Sequence, residues 1–432
     1  MKTFAMYSLG CKVNSYESNA IARLFEIDEY MQVDFKEKAD VYIINTCTVT
    51  NTGDAKSRKI IRQAAKRNKD AIVVAFGCYA QVSPDEVIEI EGVDIVLGTQ
   101  YRDKIVELVK NHDKSQKLKK VDDIFKSEKF EDFELQTHTT NKRAYLKIQE
   151  GCNNFCTYCI IPYARGKMRS RDKESIINEA ISLCADGYNE IVLTGIHTGG
   201  YGYDLNNYNF DDLLEEILTR VPQLQRLRIS SIEISQITTK TLDIIKNNPR
   251  IARHLHIPIQ AGTDTILALM QRKYNIQQYL EKLTEIRDKV EDIALTTDLI
   301  VGFPNETDEL FQDTLDLVEK CNFFEVHVFP YSARKGTPAA SMENQVDERV
   351  KKQRVEQIIN LQHKQSRKYI NNHIGSILEV IVEGYDSKEE LYYGHSSNYI
   401  KVFFAISNEI NPGDIVNVEI TENRFIPVGK VV

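Results

Sequence analysis

No stretch of this sequence is apolar for the roughly 20 residues that a helix needs to cross a bilayer. Cysteine is scarce, eight in 432 residues, and clustered rather than spread as an even disulfide framework. Sparse thiols of this kind fit a reducing compartment. The opening residues, Met1-Lys2-Thr3-Phe4, run straight into a strand-like segment without a signal-peptide pattern, so the expected setting is the cytoplasm, away from membranes. An excess of positive charge is missing too: 55 Lys and Arg against 63 Asp and Glu leave a net charge of −8. That excludes a general nucleic-acid binder and confines any RNA contact to local basic patches. Gly199, Gly200 and Gly202 lack the spacing and the acidic partner of a dinucleotide fingerprint. The length allows two or three domains with a full core.

Six of the cysteines fall into two sets. The first is Cys152, Cys156 and Cys159, spaced C-x3-C-x2-C within Gly151-Cys152-Asn153-Asn154-Phe155-Cys156-Thr157-Tyr158-Cys159. Three thiolates on one side of a tight loop suit three corners of a cubane iron–sulfur cluster and leave the fourth iron open. An open metal site admits a substrate or cofactor, whereas structural zinc is closed by four ligands. A zinc knuckle or a buried thiol cluster is the bland alternative, and the next histidine, His197, is far off in sequence. Residues 144–149 alternate like a strand and lead into Gly151, so the cysteines lie on the loop at a strand's C-terminal end, where α/β folds place active sites.

The second set is Cys11, Cys47 and Cys78. Each follows a short apolar run, at 4–9, 41–44 and 71–76, and helical patterns such as 15–25 and 55–67 come after. Alternating strand and helix predicts a parallel sheet, whose strand ends share one edge. The three cysteines therefore converge there, either as buried core thiols or as a second three-thiolate site. Adjacent glycines let the backbone approach closely.

The chain divides into a first domain at 1–110, a polar linker at 111–142, a second domain at 143–369 and a third at 370–432. The second domain carries six strand-like runs (145–148, 190–193, 226–229, 254–259, 293–301 and 325–329) with helical patterns between them, including 175–186, 210–220 and 310–321. This predicts an open partial (βα)6 barrel. A charged helix over 348–368 leads to five short strands, at 377–383, 391–395, 399–404, 415–420 and 425–432, with a turn at Asn411-Pro412-Gly413-Asp414. The fold class is α/β: an N-terminal parallel α/β domain, a central partial barrel and a small C-terminal five-stranded β-barrel of a kind that often binds nucleic acid. His254 and His256 share one strand face and read as packed or hydrogen-bonded. Cys184 and Cys321 read as core thiols.

The block from Gln149 through Ile160-Ile161-Pro162-Tyr163 to Arg165-Gly166 resembles the radical S-adenosylmethionine (SAM) enzymes, and within them the methylthiotransferases. Ser8-Leu9-Gly10-Cys11-Lys12-Val13-Asn14, Asn45-Thr46-Cys47-Thr48-Val49-Thr50 and Gly77-Cys78-Tyr79-Ala80-Gln81 resemble that family's N-terminal domain, and residues 370–432 resemble its TRAM domain. Leu193-Thr194-Gly195-Ile196-His197-Thr198-Gly199-Gly200, His256-Ile257-Pro258-Ile259-Gln260-Ala261-Gly262 and Asp298-Leu299-Ile300-Val301-Gly302-Phe303-Pro304 are similar to further blocks of it. Ala261 stands where relatives commonly carry serine.

The resemblance implies two 4Fe-4S clusters and SAM as cofactors. Cys152, Cys156 and Cys159 would hold the cluster that splits SAM. Cys11, Cys47 and Cys78 would hold an auxiliary cluster for sulfur transfer. Tyr158, Gly195, Gln260 and Asp298 fall at matching positions for SAM contact. The implied reaction adds a methylthio group to carbon 2 of N6-threonylcarbamoyladenosine at position 37 of tRNA. The partners are the tRNA anticodon stem-loop, an electron donor and a sulfur source. Within the family the alternatives are isopentenyladenosine in tRNA or an aspartate of a ribosomal protein; outside it stands a zinc-stabilised RNA-binding protein without catalysis.

Two segments concentrate positive charge. Residues 56–69 hold Lys56, Arg58, Lys59, Arg62, Lys66, Arg67 and Lys69 around a narrow apolar stripe, either a solvated helix face or a phosphate-tracking one. Arg165, Lys167, Arg169 and Arg171 follow the first cysteine set as a rim for substrate phosphates or for solvent. The C-terminal barrel is acidic, with Lys388, Lys401, Arg424 and Lys430 against nine Asp and Glu over residues 371–432, so RNA contact there is limited to Lys401, Arg424 and aromatic neighbours.

Overall fold

The alternating strand and helix patterns resolve into one open sheet, one partial barrel and one closed barrel in the computed structural model, which describes residues 1–133, 142–405, 410–424 and 426–432. The stretch 134–141 of the expected linker and Phe425 of the expected last strand lie outside the described residues.

Strands β1 (Thr3–Ser8), β2 (Met31–Gln32), β3 (Val41–Thr46), β4 (Ile72–Gly77), β5 (Ile95–Leu97) and β6 (Leu118–Lys120) form a sheet ordered β2-β1-β3-β4-β5-β6 in which every pairing is parallel. Helices cover both faces, so the central strands are apolar throughout instead of alternating. In β3, Tyr42 and Ile44 join the core under the helix Asn51–Arg67, while Val41 and Ile43 join the one under the helix Lys12–Ile27. Each fully buried isoleucine contributes about 1.5–3 kcal/mol relative to an exposed one. The three strands read from the sequence are the middle of this sheet. β2, β5 and β6 were not among them, because runs of two or three residues carry no period.

The second unit contains β7 (Ala144–Glu150), β8 (Arg169–Ser170), β9 (Glu190–Gly195), β10 (Arg226–Ile229), β11 (His254–His256), β12 (Ala294–Val301) and β13 (Glu325–Pro330). Its two sheets, β10-β9-β7-β8 and β11-β12-β13, are joined by the parallel bridges Leu227↔Ile251 and Ser231↔His256. Six parallel strands therefore make an open partial barrel, and β8 returns antiparallel along the end of β7. His254 and His256 both hydrogen-bond Thr296 Oγ1 at 2.9 Å, as packed strand residues do.

Strands β14 (Ile377–Asp386), β15 (Leu391–Ser396), β16 (Lys401–Ala405), β17 (Ile415–Glu422) and β18 (Val428–Val431) close a barrel around Val380, Val382, Phe404 and Ile420. It docks at the strand starts of the partial barrel. Asn189 Nδ2 donates to Gly413 O (2.9 Å), Arg226 Nη2 to Glu379 O (2.9 Å) and Arg228 Nη2 to Ser396 O (3.1 Å). The cysteine loops occupy the opposite edge, at the strand ends.

The first sheet meets the partial barrel through buried ions. Glu17 pairs with Arg102, accepts from Lys147 Nζ at 2.7 Å and from Arg165 Nη1 at 2.5 Å, and Glu150 pairs with Lys147 and Arg165. All five side chains are at most 2 % exposed, so each charge depends on its partners for solvation. This corrects the basic rim expected after the first cysteine set. Arg165, Arg169 and Arg171 are buried and only Lys167 is exposed. The antiparallel return of β8 carries Arg169 and Arg171 inward, and Arg171 is held by Glu179 and by Asp132 at 2.8 Å.

Candidate active site

The loop after β7 is shaped by Gly151, whose φ is +77°; a Cβ there would lie 1.9 Å from Lys167 O, so no other residue fits. Cys152 N donates to Gly166 O (3.0 Å) and Cys159 N to Cys156 O (2.9 Å), which folds the three cysteines into one turn. Thr157 anchors that turn, with Oγ1 donating to Leu269 O at 2.8 Å. Cys156 Sγ receives Arg272 Nη1 at 3.5 Å, and Cys152 Sγ receives Asn154 N at 3.5 Å. Burial pushes the Cys152 thiol up to about 11 and Cys159 up to about 12, and the neighbouring thiols push the same way. Three thiols in one turn fit a cationic iron–sulfur group, which stabilises the thiolate forms that burial disfavours at Cys152 and Cys159.

Cys11, Cys47 and Cys78 follow the ends of β1, β3 and β4, three adjacent strands, and so share one sheet edge. A Cβ built on Gly10 would meet both Cβ and Sγ of Cys47 at 3.1 Å, which puts that thiol against the Cys11 loop. Cys78 Sγ receives Arg165 Nε at 3.1 Å. Burial pushes Cys78 up to about 12; Arg165 opposes the shift, while Cys47 and Cys11 add to it. Among the described residues, no three His, Cys, Asp or Glu side chains gather around a point that would hold a single metal ion. A cubane places its thiolates on separate irons.

A cavity of about 240 Å³ lies between the two cysteine regions. Val49 and Thr50, just past Cys47, form one wall; Tyr158, Cys159 and Ile160 form another; Gln260, Asp298, Ile300 and the segment Phe329, Pro330, Tyr331 and Ser332 complete it. Three of the four positions matched for SAM contact, Tyr158, Gln260 and Asp298, are therefore brought together beside Cys159. Gln260 adopts a φ of +68°, donates its N–H to Asp298 O at 2.9 Å and accepts from Ile300 N at 2.8 Å. Asp298 Oδ1 sits 3.2 Å from His256 Nε2. Gly195 is not part of this wall. It packs on Gln149, whose Oε1 accepts from His197 N (2.8 Å) and whose Nε2 donates to Gly151 O (2.8 Å), tying the end of β9 to the cysteine loop.

A second cavity of about 110 Å³ opens on the other side of Cys156, lined by His197, Gln236, Glu233 and Arg272. Burial pulls His197 down to about 4, with Arg272 and Lys273 pulling the same way, so it is neutral, and Gln236 Nε2 lies 2.7 Å from its Nε2. Arg272, paired with Glu233, was not singled out from the sequence. Its position beyond the helix Asp264–Leu269 carries no motif, and only the fold returns it to the cysteine turn.

The basic helix face is present. Lys56, Lys59, Arg62, Lys66 and Lys69 are exposed, and among the described residues none of them makes an ion pair. Arg58 is spent on Glu86 (3.0 Å) and Arg67 lies over Phe35. This helix starts at Asn51, beside the cavity wall. In the closed barrel, Arg424 pairs with Glu422 (3.0 Å) and Lys430 with Glu419 (3.1 Å), while Lys401 sits over Tyr393 and Phe403.

Residues 146–318 match the Radical SAM superfamily, residues 3–98 the Uncharacterized protein family UPF0004, and residues 372–426 the TRAM domain. The chain is 48% identical over 429 residues to the threonylcarbamoyladenosine tRNA methylthiotransferase MtaB of Bacillus subtilis, covering 98% of this chain and 95% of the relative. It is 34% identical over 433 residues to a tRNA-2-methylthio-N(6)-dimethylallyladenosine synthase of Carboxydothermus hydrogenoformans, covering 98% of each. A solved radical SAM methyltransferase, TsrM from Kitasatospora setae, shares the fold with a TM-score of 0.59 at 16% identity, over 78% of this chain and 76% of that one. No helix among the described residues is long and apolar enough to cross a membrane. With three matched regions in order along the chain and a relative that runs almost its full length, the chain belongs to the radical SAM tRNA methylthiotransferases.

Proposed function

We propose that this enzyme adds a methylthio group to carbon 2 of N6-threonylcarbamoyladenosine at position 37 of tRNA, in the cytoplasm. The observation that carries the reading is the cavity whose walls come from both cysteine regions, Val49 and Thr50 on one side and Tyr158 and Cys159 on the other. A base placed there would lie beside Cys159 and the residues just past Cys47. The proposed division of the chain is 1–110, a connector at 111–142 whose β6 extends the first sheet, 143–369 and 370–432.

In this reading Cys152, Cys156 and Cys159 hold one 4Fe-4S cluster and Cys11, Cys47 and Cys78 a second. When bound, the first cluster and SAM would supply, with one electron from an external donor, the radical chemistry needed to remove a hydrogen that acid–base chemistry at neutral pH leaves in place. The chain's own groups do the rest. Arg272 donates to Cys156 Sγ and is steadied by Glu233. Tyr158, Gln260 and Asp298 line the SAM side of the cavity, and Gly195 keeps the end of β9 close to the cysteine loop through Gln149. Ile160, Ile300 and Phe329 give the same cavity apolar lining. An external electron donor and a sulfur source are required partners. The anticodon stem-loop is expected to track the exposed lysines and arginines of the helix Asn51–Arg67.

A second reading, methylthiolation of isopentenyladenosine, has one support: relatives named for dimethylallyladenosine match over the same length at 34% identity. Nucleoside mass spectrometry of tRNA from a strain lacking the gene decides. Loss of the methylthio group from threonylcarbamoyladenosine alone supports the first reading. Loss from the isopentenyl nucleoside alone supports the second. Survival of both rejects the two together.

A further inference from the structure

The buried ions between the first sheet and the partial barrel are more than glue, because one of them touches sulfur. Arg165 spends every donor of its guanidinium. Nε donates to Cys78 Sγ (3.1 Å), Nη1 to Glu17 Oε1 (2.5 Å) and Glu150 Oε2 (3.2 Å), and Nη2 to Asn14 Oδ1 (2.7 Å) and Glu17 Oε2 (3.1 Å). Asn14 carries the contact onward. Its Oδ1 lies 3.8 Å from Cys11 Sγ, and its Nδ2 donates to Leu9 O (2.6 Å) and Thr46 O (3.3 Å). Through one arginine and one asparagine, all three cysteine loops of the first sheet are gripped by a residue of the second unit. The side chain of Arg165 is fully buried, so its charge is not screened by water.

We infer that Arg165 is a positioning residue that raises the reduction potential of the cluster held by Cys11, Cys47 and Cys78. The inference rests on the second cluster proposed above. Hydrogen bonds to cluster sulfurs and buried positive charge both favour the reduced, more negative state. A lysine keeps the charge but cannot place five donors in a fixed fork, so it loses the bond to sulfur while leaving the unit cationic. Glu17 acts in the opposite sense, since its carboxylate offsets the guanidinium from the side away from sulfur.

The test uses the full-length chain with Cys152, Cys156 and Cys159 replaced by alanine, reconstituted anaerobically, so that only the second cluster remains. Its potential is read by electron paramagnetic resonance during a dithionite titration. Arg165→Lys is expected to shift it negative and Glu17→Gln to shift it positive, with iron content unchanged. Arg171→Lys, a buried arginine that touches no cysteine, is expected to leave it in place. A merely structural role would move all three variants alike, or none, and either result overturns the inference. If Arg165→Lys fails to load, the sign for Glu17→Gln decides alone: positive supports, zero or negative overturns. Failure of the parent triple variant to assemble any cluster removes the second-cluster reading itself, which is a different result from an assembled cluster whose potential does not respond.

Discussion

Arg334 Nη2 lies 2.7 Å from Thr48 Oγ1 and also pairs with Asp54 at 2.5 Å, so the loop after β13 clasps the residues just past Cys47. Asn51 reinforces the clasp, its N donating to Ser332 Oγ (3.2 Å) and its Nδ2 to Ala333 O (3.2 Å). The same segments form two walls of the cavity. Removing one partner of a buried pair costs about 3–5 kcal/mol. Arg334→Met should therefore lower the melting temperature and reduce methylthio product, while reductive SAM cleavage persists. Adding Asp54→Asn should recover part of the stability. An unchanged melting temperature in the single variant would show the clasp to be idle.

The two cysteine sets should separate by assay. Anaerobic reconstitution is expected to give about eight irons per chain, four per cubane. Cys156→Ala should abolish SAM cleavage. Cys47→Ala should keep cleavage, lose about four irons and stop methylthiolation. Methylthio product from the Cys47 variant would remove the auxiliary role.

For RNA, the corrected charge map leaves the helix Asn51–Arg67 as the main basic face, because the arginines after the first cysteine set are buried. Changing Arg62 and Lys66 together to glutamine should weaken tRNA binding and flatten its salt dependence by about one slope unit per lost phosphate contact. Lys401→Gln, on the closed barrel, should do less. Affinities at several salt concentrations measure both, and a larger loss for the Lys401 variant would make the barrel the main platform.

Docking of the closed barrel should depend on pH through His373. Burial opposes its charge, but the bond to Asp292 (2.8 Å) and the Tyr369 carbonyl outweigh burial and raise its pKa. A histidine with a raised folded pKa contributes stability that is full below its unfolded value, about 6.5, and is lost as pH rises through the folded one. Asp292→Asn keeps a hydrogen-bonding side chain of the same shape at a φ of +55°, which asparagine tolerates. The melting-temperature gap between wild type and this variant should be largest near pH 6 and close as the solution becomes alkaline. A gap independent of pH would clear His373 of the role.

Much of this is legible in the sequence. The strand-ending cysteines and the C-x3-C-x2-C turn follow local rules of strand period and loop position, and local rules are what a sequence displays. Arg165, Arg169 and Arg171 were not legible. Four basic residues within seven look like a surface until a distant Glu17, Glu179 or Asp132 is folded against them, and long-range pairing leaves no period in the chain. Arg272 and Arg334 were missed for the same reason. Gly195, matched to SAM contact by its strand position, packs on Gln149.

Glu17 belongs to the first unit, but of its three cations only Arg102 does; Lys147 and Arg165 come from the second. Cut between the two, Glu17 would lose two of its three counterions among the described residues, and Lys147 and Arg165 would keep Glu150 but lose Glu17. Neither half is thus a free module that recombination can graft onto an unrelated neighbour. The boundary that looks like a seam in the gene is a joint that both sides must inherit together.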